Sequence, residues 1–354
     1  MDAQDATASG YSDNLIAELG ASVRNDALHL ILLPTEKCNF RCTYCYEDFS
    51  IGRMSASTIQ GVNRLIDRRL DGLRFLNISW FGGEPLLARS VVEEISAHIH
   101  DALAGRPDVE YMGDMTTNGY LLDAPAVARL SSLGIRRYQI SLDGPQPIHD
   151  QTRVQAGGAG SFHQVWGNLL AIRDGREPVD VLLRVHLTPD NLPLMPGFLA
   201  EIRDTFLTDA RFSVILKPVE RLGGTNDDAM DIIEEEAREK ILAELRPVVL
   251  TGGDARRLQP VPDVCYASRP NSLMIRANGL VGKCTVALTD PANAIGKLLP
   301  DGTLEIDNVL LRPWLRGWES QDWAALSCPA NGIPRDRTTL LQLSPTRLGL
   351  AART

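Results

Sequence analysis

Apolar residues set the rhythm of the first two-thirds of the chain. The run Leu28 to Leu33 is apolar enough for a strand buried on both faces. Behind it Ile59, Val62, Leu65 and Ile66 recur at helical spacing, with Ser55 or Ser57 available as an N-cap. Strand-like segments return at about Phe75 to Phe81, Val109 to Met115, Arg137 to Leu142, Val179 to Leu187 and Arg211 to Leu216. Helical patterns separate them, carried by Val91, Val92, Ile95 and Ile99, then by residues around Val127, Val165 to Ile172 and Phe198 to Phe206. About six βα units of this kind predict a parallel sheet with helical crossovers, and six are too few to close an eight-stranded barrel. The expected fold is therefore α/β, a partial (β/α)6 TIM-like barrel, with its active site at the carboxyl ends of the strands.

After the sixth strand the pattern changes. Gly223 and Gly224 break the chain, and Asp231 to Leu245 reads as a charged surface helix. From Cys265 the chain turns hairpin-like, with Leu273 to Arg276 and Gly279 to Lys283 flanking Ala277-Asn278, and Pro300-Asp301-Gly302 as a turn. This divides the chain into an N-terminal segment (1–27), the barrel (28–217), a helical linker (218–262), a smaller C-terminal lobe (263–330) and a tail (331–354).

Charge and cysteine usage narrow the chemistry. Of 354 residues, 36 are Lys or Arg against 45 Asp or Glu, and the net charge of -9 disfavours nucleic acid as the main partner. The polar start lacks the pattern of a signal peptide and no run is long enough to span a bilayer, so the expected location is cytoplasmic, without a membrane partner. Six cysteines in such a protein point to metal ligands rather than disulfides. The histidines are scattered and read as core or surface residues.

The cysteines fall in two trios. Cys38, Cys42 and Cys45 form a C-x3-C-x2-C array directly after the first strand, with Tyr44 before the third thiol. Three thiolates can hold three irons of a [4Fe-4S] cluster and leave the fourth open. Zinc, or three unrelated buried cysteines, is the plainer alternative, although zinc sites favour a fourth Cys or His nearby and none follows. Downstream, Gly82-Gly83-Glu84-Pro85 ends the second strand, Thr116-Thr117-Asn118-Gly119 the third, and Ser141-Leu142-Asp143-Gly144 the fourth, followed by His149-Asp150-Gln151-Thr152-Arg153. The glycines permit close backbone approach, Asn118 offers both donor and acceptor, and the planar fork of Arg153 suits a carboxylate. The second trio is Cys265, Cys284 and Cys328, with Gly279 giving C-x13-G-x4-C.

In combination these segments resemble the radical S-adenosylmethionine (radical SAM) superfamily of the SPASM/twitch type, over about residues 28 to 328. The resemblance implies that Cys38, Cys42 and Cys45 hold a [4Fe-4S] cluster whose open iron is chelated by S-adenosylmethionine (SAM), and that an electron cleaves the sulfonium to a 5′-deoxyadenosyl radical. It assigns the methionine amino group to Gly82, Gly83 and Glu84, and places Asn118 beside the SAM pocket. Ser141 and Asp143 fall to ribose hydroxyls or the methionine carboxylate, and Arg153 becomes a carboxylate clamp. For Cys265, Cys284 and Cys328 it implies one auxiliary [4Fe-4S] cluster, since the dense cysteine run of a full SPASM domain is missing. Cys45-Tyr46-Glu47 and Trp80-Phe81-Gly82-Gly83-Glu84-Pro85 look most like the peptide-modifying branch. The implied activity is maturation of a ribosomally made precursor peptide (RiPP maturase-like), with reduced flavodoxin or ferredoxin as electron donor. Sulfatase maturation fits less well, because Thr285 follows Cys284 where that family carries Asp. The alternative is a twitch-type dehydrogenase of a small-molecule alcohol.

Overall fold

In the computed structural model, which describes residues 18–250 and 264–333, six parallel strands lie side by side in chain order. They are β1 (Ala27–Leu32), β2 (Phe75–Trp80), β3 (Glu110–Thr117), β4 (Ile135–Leu142), β5 (Asp180–Leu187) and β6 (Phe212–Pro218). The crossovers are α1 (Ala56–Leu70), α2 (Arg89–Ala102), α3 (Ala124–Ser132), the pair α4 (Gln146–Thr152) and α5 (Phe162–Asp174), and α6 (Met195–Thr205). Their starts follow from caps: Ser55 Oγ accepts from Thr58 N at 3.2 Å ahead of α1, and Asp123 Oδ1 accepts from Ala126 N at 2.8 Å ahead of α3. On α1 the predicted stripe of Ile59, Val62, Leu65 and Ile66 is buried, each such side chain contributing about 1.5–3 kcal/mol over exposure.

Strand alternation separates two faces. Val181, Leu183 and Val185 of β5, and Tyr138, Ile140 and Leu142 of β4, are buried in one core with the helix residues. Their alternate neighbours Leu182, Arg184, Gln139 and Ser141 are half-buried on the opposite, concave face. That face is largely polar, and across it Asp114, Ser79, His29 and Ser272 form a chain. Ser79 Oγ donates to Asp114 Oδ2 at 2.7 Å and sits 2.9 Å from His29 Nε2, while Ser272 Oγ lies 2.9 Å from His29 Nδ1.

The C-terminal lobe extends the same sheet. α7 (Glu235–Val249) leads toward β7 (Ser272–Ile275), which pairs in parallel with β1 through His29↔Ser272. β8 (Leu280–Gly282), β9 (Gly296–Leu298) and β10 (Leu304–Ile306) follow antiparallel, giving the order β10-β9-β8-β7-β1-β2-β3-β4-β5-β6, open at both ends. The partial barrel with an added antiparallel region is thus present as expected. The predicted hairpin turn at Ala277-Asn278 is closed by Gly279 at φ +84°, a conformation glycine adopts without strain. α8 (Asn308–Ser320) and α9 (Trp323–Ser327) complete the lobe. Trp314 Nε1 donates to Ala292 O at 3.0 Å and Trp318 Nε1 to Ser268 O at 2.7 Å, so both rings pack the lobe.

One helix, expected over Asp231 to Leu245, spans Glu235–Val249 instead. It begins at Glu235 because Ile233, 4% exposed, is drawn into the core and holds the preceding residues in a loop. The N-terminal segment to residue 17, linker residues 251–262 with the first residue of the lobe, 263, and the tail beyond 333 lie outside the described residues.

Candidate active site

The loop leaving β1 carries the first three thiols and is laced onto the chain after α4. Arg41 N donates to Val154 O at 2.7 Å, Thr43 N to Thr152 O at 3.0 Å, and Cys45 N to Cys42 O at 3.1 Å. Cys38, Cys42 and Cys45 lie close enough that each thiolate would repel the other two. Burial is the larger effect and pushes Cys38 and Cys45 up to about 12, and Cys42 upward as well. Burial therefore favours the protonated thiols, and a metal binding there would have to displace those protons. Two donors face Cys38 Sγ, Phe40 N at 3.3 Å and Asn118 Nδ2 at 3.9 Å.

Among the described residues, no three Cys, His, Asp or Glu side chains converge as the ligands of a single ion would. The thiolates of a [4Fe-4S] cluster bind separate irons and stay apart. Three mutually close thiols on one loop, with amide donors directed at a sulfur, fit that group.

The Gly-Gly-Glu-Pro turn packs against this loop. A Cβ on Gly82, at φ +90°, would stand 2.7 Å from Thr35 O, and one on Gly83 would overlap Lys37 O. The close approach that these glycines allow is thus to the cluster loop's own backbone. Glu84 is fully buried, and its Oε1 accepts from Leu86 N at 3.0 Å and Thr117 Oγ1 at 2.8 Å. Oε2 accepts from Asn118 N at 2.8 Å. Burial raises this carboxyl, and the bonds from Asn118, Leu86 and Thr117 oppose the rise. Glu84 in this way fixes the end of β3 and aims Asn118, whose Nδ2 also donates to Asn39 Oδ1 at 2.8 Å.

A second group surrounds Asp143, just past the end of β4. Its carboxylate accepts from Tyr44 Oη at 2.9 Å, Thr152 Oγ1 at 2.6 Å and His186 Nδ1 at 3.1 Å. Burial alone would raise this carboxyl, but His186 and the Arg153 charge hold it far below the ordinary range. Arg153 Nη1 donates to Tyr44 Oη at 2.6 Å and lies 4.0 Å from Asp143. Its buried Nε has no hydrogen-bond partner among the described residues, a donor that an anion could satisfy. Ser141, half-buried one pleat deeper, has a hydroxyl without a partner among the described residues and faces Arg184 in register.

Cys265 and Cys284 both lie near Tyr266 in the other lobe, and Cys328 follows the helix end that Cys265 touches. Cys265 N donates to Leu326 O at 3.0 Å, beside the end of α9 where Cys328 follows. Tyr266 Oη, 2.8 Å from Thr285 Oγ1, joins the residue after Cys265 to the residue after Cys284. Both thiols are near enough to Tyr266 to disfavour its ionisation. Lys283 is fully buried beside them, its Nζ donating to Arg269 O and Ser272 O at 2.6 Å each.

Sequence reasoning did not single out His186, Thr152 or Asn191, which donates to both Asp143 O at 2.8 Å and His186 O at 2.9 Å. The available signal was alternation along β5, which puts Arg184 and His186 on one face near a strand end. A cleft of about 410 Å³ opens beside this group, lined by Thr43, Tyr44, Ile148, Thr188, Val219 and Met230 among others. Among the described residues no helix is long and apolar enough to cross a membrane.

Comparison with known proteins matches residues 32–210 to the Radical SAM superfamily. GTP 3',8-cyclase of Trichormus variabilis is 34% identical over 179 residues, covering 49% of this chain and 49% of that protein, so the chain spans about half the length of such relatives. GTP 3',8-cyclase of Microcystis aeruginosa is 27% identical over 283 residues, 73% of this chain and 80% of that protein. Among solved structures, anSMEcpe with bound AdoMet and Cp18Cys peptide aligns with a TM-score of 0.59 at 17% identity, covering 81% of this chain and 80% of that one. Streptococcus suis SuiB bound to precursor peptide SuiA aligns at 0.53 and 15% identity, covering 89% and 71%. At these identities the structural likeness concerns the fold.

Proposed function

Because the chain belongs to the radical SAM superfamily, we propose that it is a peptide maturase that abstracts hydrogen from a ribosomally made precursor. The observation that carries this reading is the open sheet, whose free edge at β6 borders a cleft running to Tyr44, beside the cluster loop and the Asp143–Arg153 group. Such a cleft admits an extended chain from the side, and related folds have been seen with peptides bound.

Cys38, Cys42 and Cys45 hold the first cluster, which with SAM bound supplies one-electron cleavage to an adenosyl radical. The backbone of Gly82 and Gly83 receives the methionine amino group, while buried Glu84 positions that turn and Asn118. Arg153 clamps the methionine carboxylate through its free Nε, held in place by Tyr44 and Asp143. Cys265, Cys284 and Cys328 hold one auxiliary cluster in the far wall, and reduced flavodoxin or ferredoxin serves as donor. Cross-linking within the peptide would remove two hydrogens, one abstracted as an atom and one lost as a proton with an electron, and the electron would pass to the auxiliary cluster that Cys265, Cys284 and Cys328 would hold.

Co-expression with small open reading frames neighbouring the gene, followed by mass spectrometry, tests this. The expected product is lighter than the precursor by one hydrogen molecule. A second reading, cyclisation of GTP, is favoured by the curated relatives, which are named GTP 3',8-cyclase. Turnover of GTP with no peptide modified would establish it instead.

A further inference from the structure

Arg184 stands on the concave face of β5, and no counter-charge meets it among the described residues. By alternation it shares that face with His186, two residues or about 6.6 Å nearer the strand end, where His186 meets Tyr44 and Asp143. Its register partners are Ser141 on β4 and Ile215 on β6. Among the described residues its guanidinium has no hydrogen bond or ion pair, and its Nε is buried and unpartnered.

Four charged side chains of the neighbouring strands and loops are engaged. Asp143 accepts from Tyr44, His186 and Thr152, and Asp114 from Ser79. Arg137 lies 3.7 Å from Asp180 on its neighbouring strand, and Lys217 is 2.6 Å from Glu220. A half-buried guanidinium without a partner is costly, and the described residues supply none here. Ser141, with its hydroxyl also free, lies one strand spacing away, about 4.8 Å, so a single planar anion reaches both side chains.

We propose that Arg184, with Ser141 as second donor, anchors one carboxylate of the substrate, the side chain of an Asp or Glu in the precursor peptide. The assignment rests on the peptide-maturase reading and adds to it a requirement for an acidic residue near the modified position. Carboxylate is favoured over polyphosphate by charge: the described face offers one unpaired guanidinium, matching a charge of minus one rather than the several charges of a nucleoside triphosphate. Across the sheet, Ile31, Leu33, Met274 and Leu288 cluster with Phe81 and Tyr46 half-buried against them, an apolar wall suited to the rest of a peptide.

The anaerobic, cluster-loaded full-length protein is treated with phenylglyoxal, and modification of Arg184 is followed by mass spectrometry against exposed Arg312. Four additions are compared: SAM alone, and SAM with N-acetyl-glutamate N-methylamide, with its glutamine counterpart, or with GTP. The expected result is several-fold slower modification of Arg184 with the glutamate compound, with no slowing by the glutamine compound and less by GTP. Equal or absent slowing by the glutamate and glutamine compounds overturns the proposal. Stronger protection by GTP assigns the position to a polyphosphate, and full protection by SAM alone assigns it to the cofactor; either overturns it too. Since no maturation is required, loss of this result is distinct from failure to modify a precursor peptide.

Discussion

Arg276, just past β7, reaches Glu36 in the loop before Cys38 with a two-pronged bond, Nη2 to Oε2 at 2.5 Å and Nε to Oε1 at 3.0 Å. Glu36 is 1% exposed, so the pair is screened little by solvent. Arg276 Nη1 also donates to Leu288 O at 2.8 Å, which makes one guanidinium the tie between the C-terminal lobe and the cluster loop. Removing one partner of a buried pair strands the other. Arg276→Met should therefore cost about 3–5 kcal/mol in denaturant unfolding. Glu36→Gln combined with Arg276→Met should cost less than the sum of the two single changes.

The two cysteine trios should separate two pools of iron. Replacing Cys38, Cys42 and Cys45 by Ala is expected to remove about half the iron and all SAM cleavage, if each trio holds one [4Fe-4S] cluster. Replacing Cys265 and Cys284 should spare uncoupled SAM cleavage and abolish finished product. Iron and sulfide counting with 5′-deoxyadenosine assay checks both, and a preparation containing zinc alone would refute the cluster assignment.

Glu84 and Arg153 should both matter for SAM, by different routes. Glu84→Gln puts an amide N–H against one of the donors Leu86 N, Thr117 Oγ1 or Asn118 N, whichever way it turns. A loss of about 1–3 kcal/mol in stability is expected. Arg153→Met removes the proposed clamp, and loss of a buried charged hydrogen bond of about 2–5 kcal/mol weakens SAM more than tenfold by calorimetry. Unchanged SAM affinity in Arg153→Met would exclude it from the pocket.

His29 should make stability fall in mild acid. Burial lowers its pKa to about 4, with the Arg269 and Lys283 charges adding to the effect. The unfolded residue takes up a proton near pH 6.5, so the folded state binds fewer protons between about 6.5 and 4. Stability is full above pH 6.5 and declines as pH falls through that window, by on the order of 3 kcal/mol at its lower end. Denaturant midpoints measured at pH 7 and pH 5 should differ less in His29→Gln than in the parent protein.

Local pattern determined the larger part of the fold and the clustering of the first three cysteines. Apolar periods of two and of three to four residues suffice to specify strand, helix and their order, and three thiols within eight residues are near one another in any conformation. Glycine and asparagine turns at strand ends were legible because their backbone demands are local. Tertiary structure alone decided which side chains meet across the sheet. Tyr44 and His186 are 142 positions apart, yet their polar atoms stand 3.1 Å apart because the loop after β1 is tied to Thr152 and Val154, downstream of β4, and β4 pairs with β5 in one register. Glu36 and Arg276 meet only because β7 joins β1 in parallel, a pairing between segments more than 200 residues apart that no local period encodes. The carboxylate of Glu84, offered by the sequence to a ligand, proved to be held by Leu86, Thr117 and Asn118, since burial without partners would be too costly for a charged group. The same physics leaves Arg184 conspicuous: its exposure to the chamber and lack of a partner are properties of the assembled face, invisible in the alternating run that carries it.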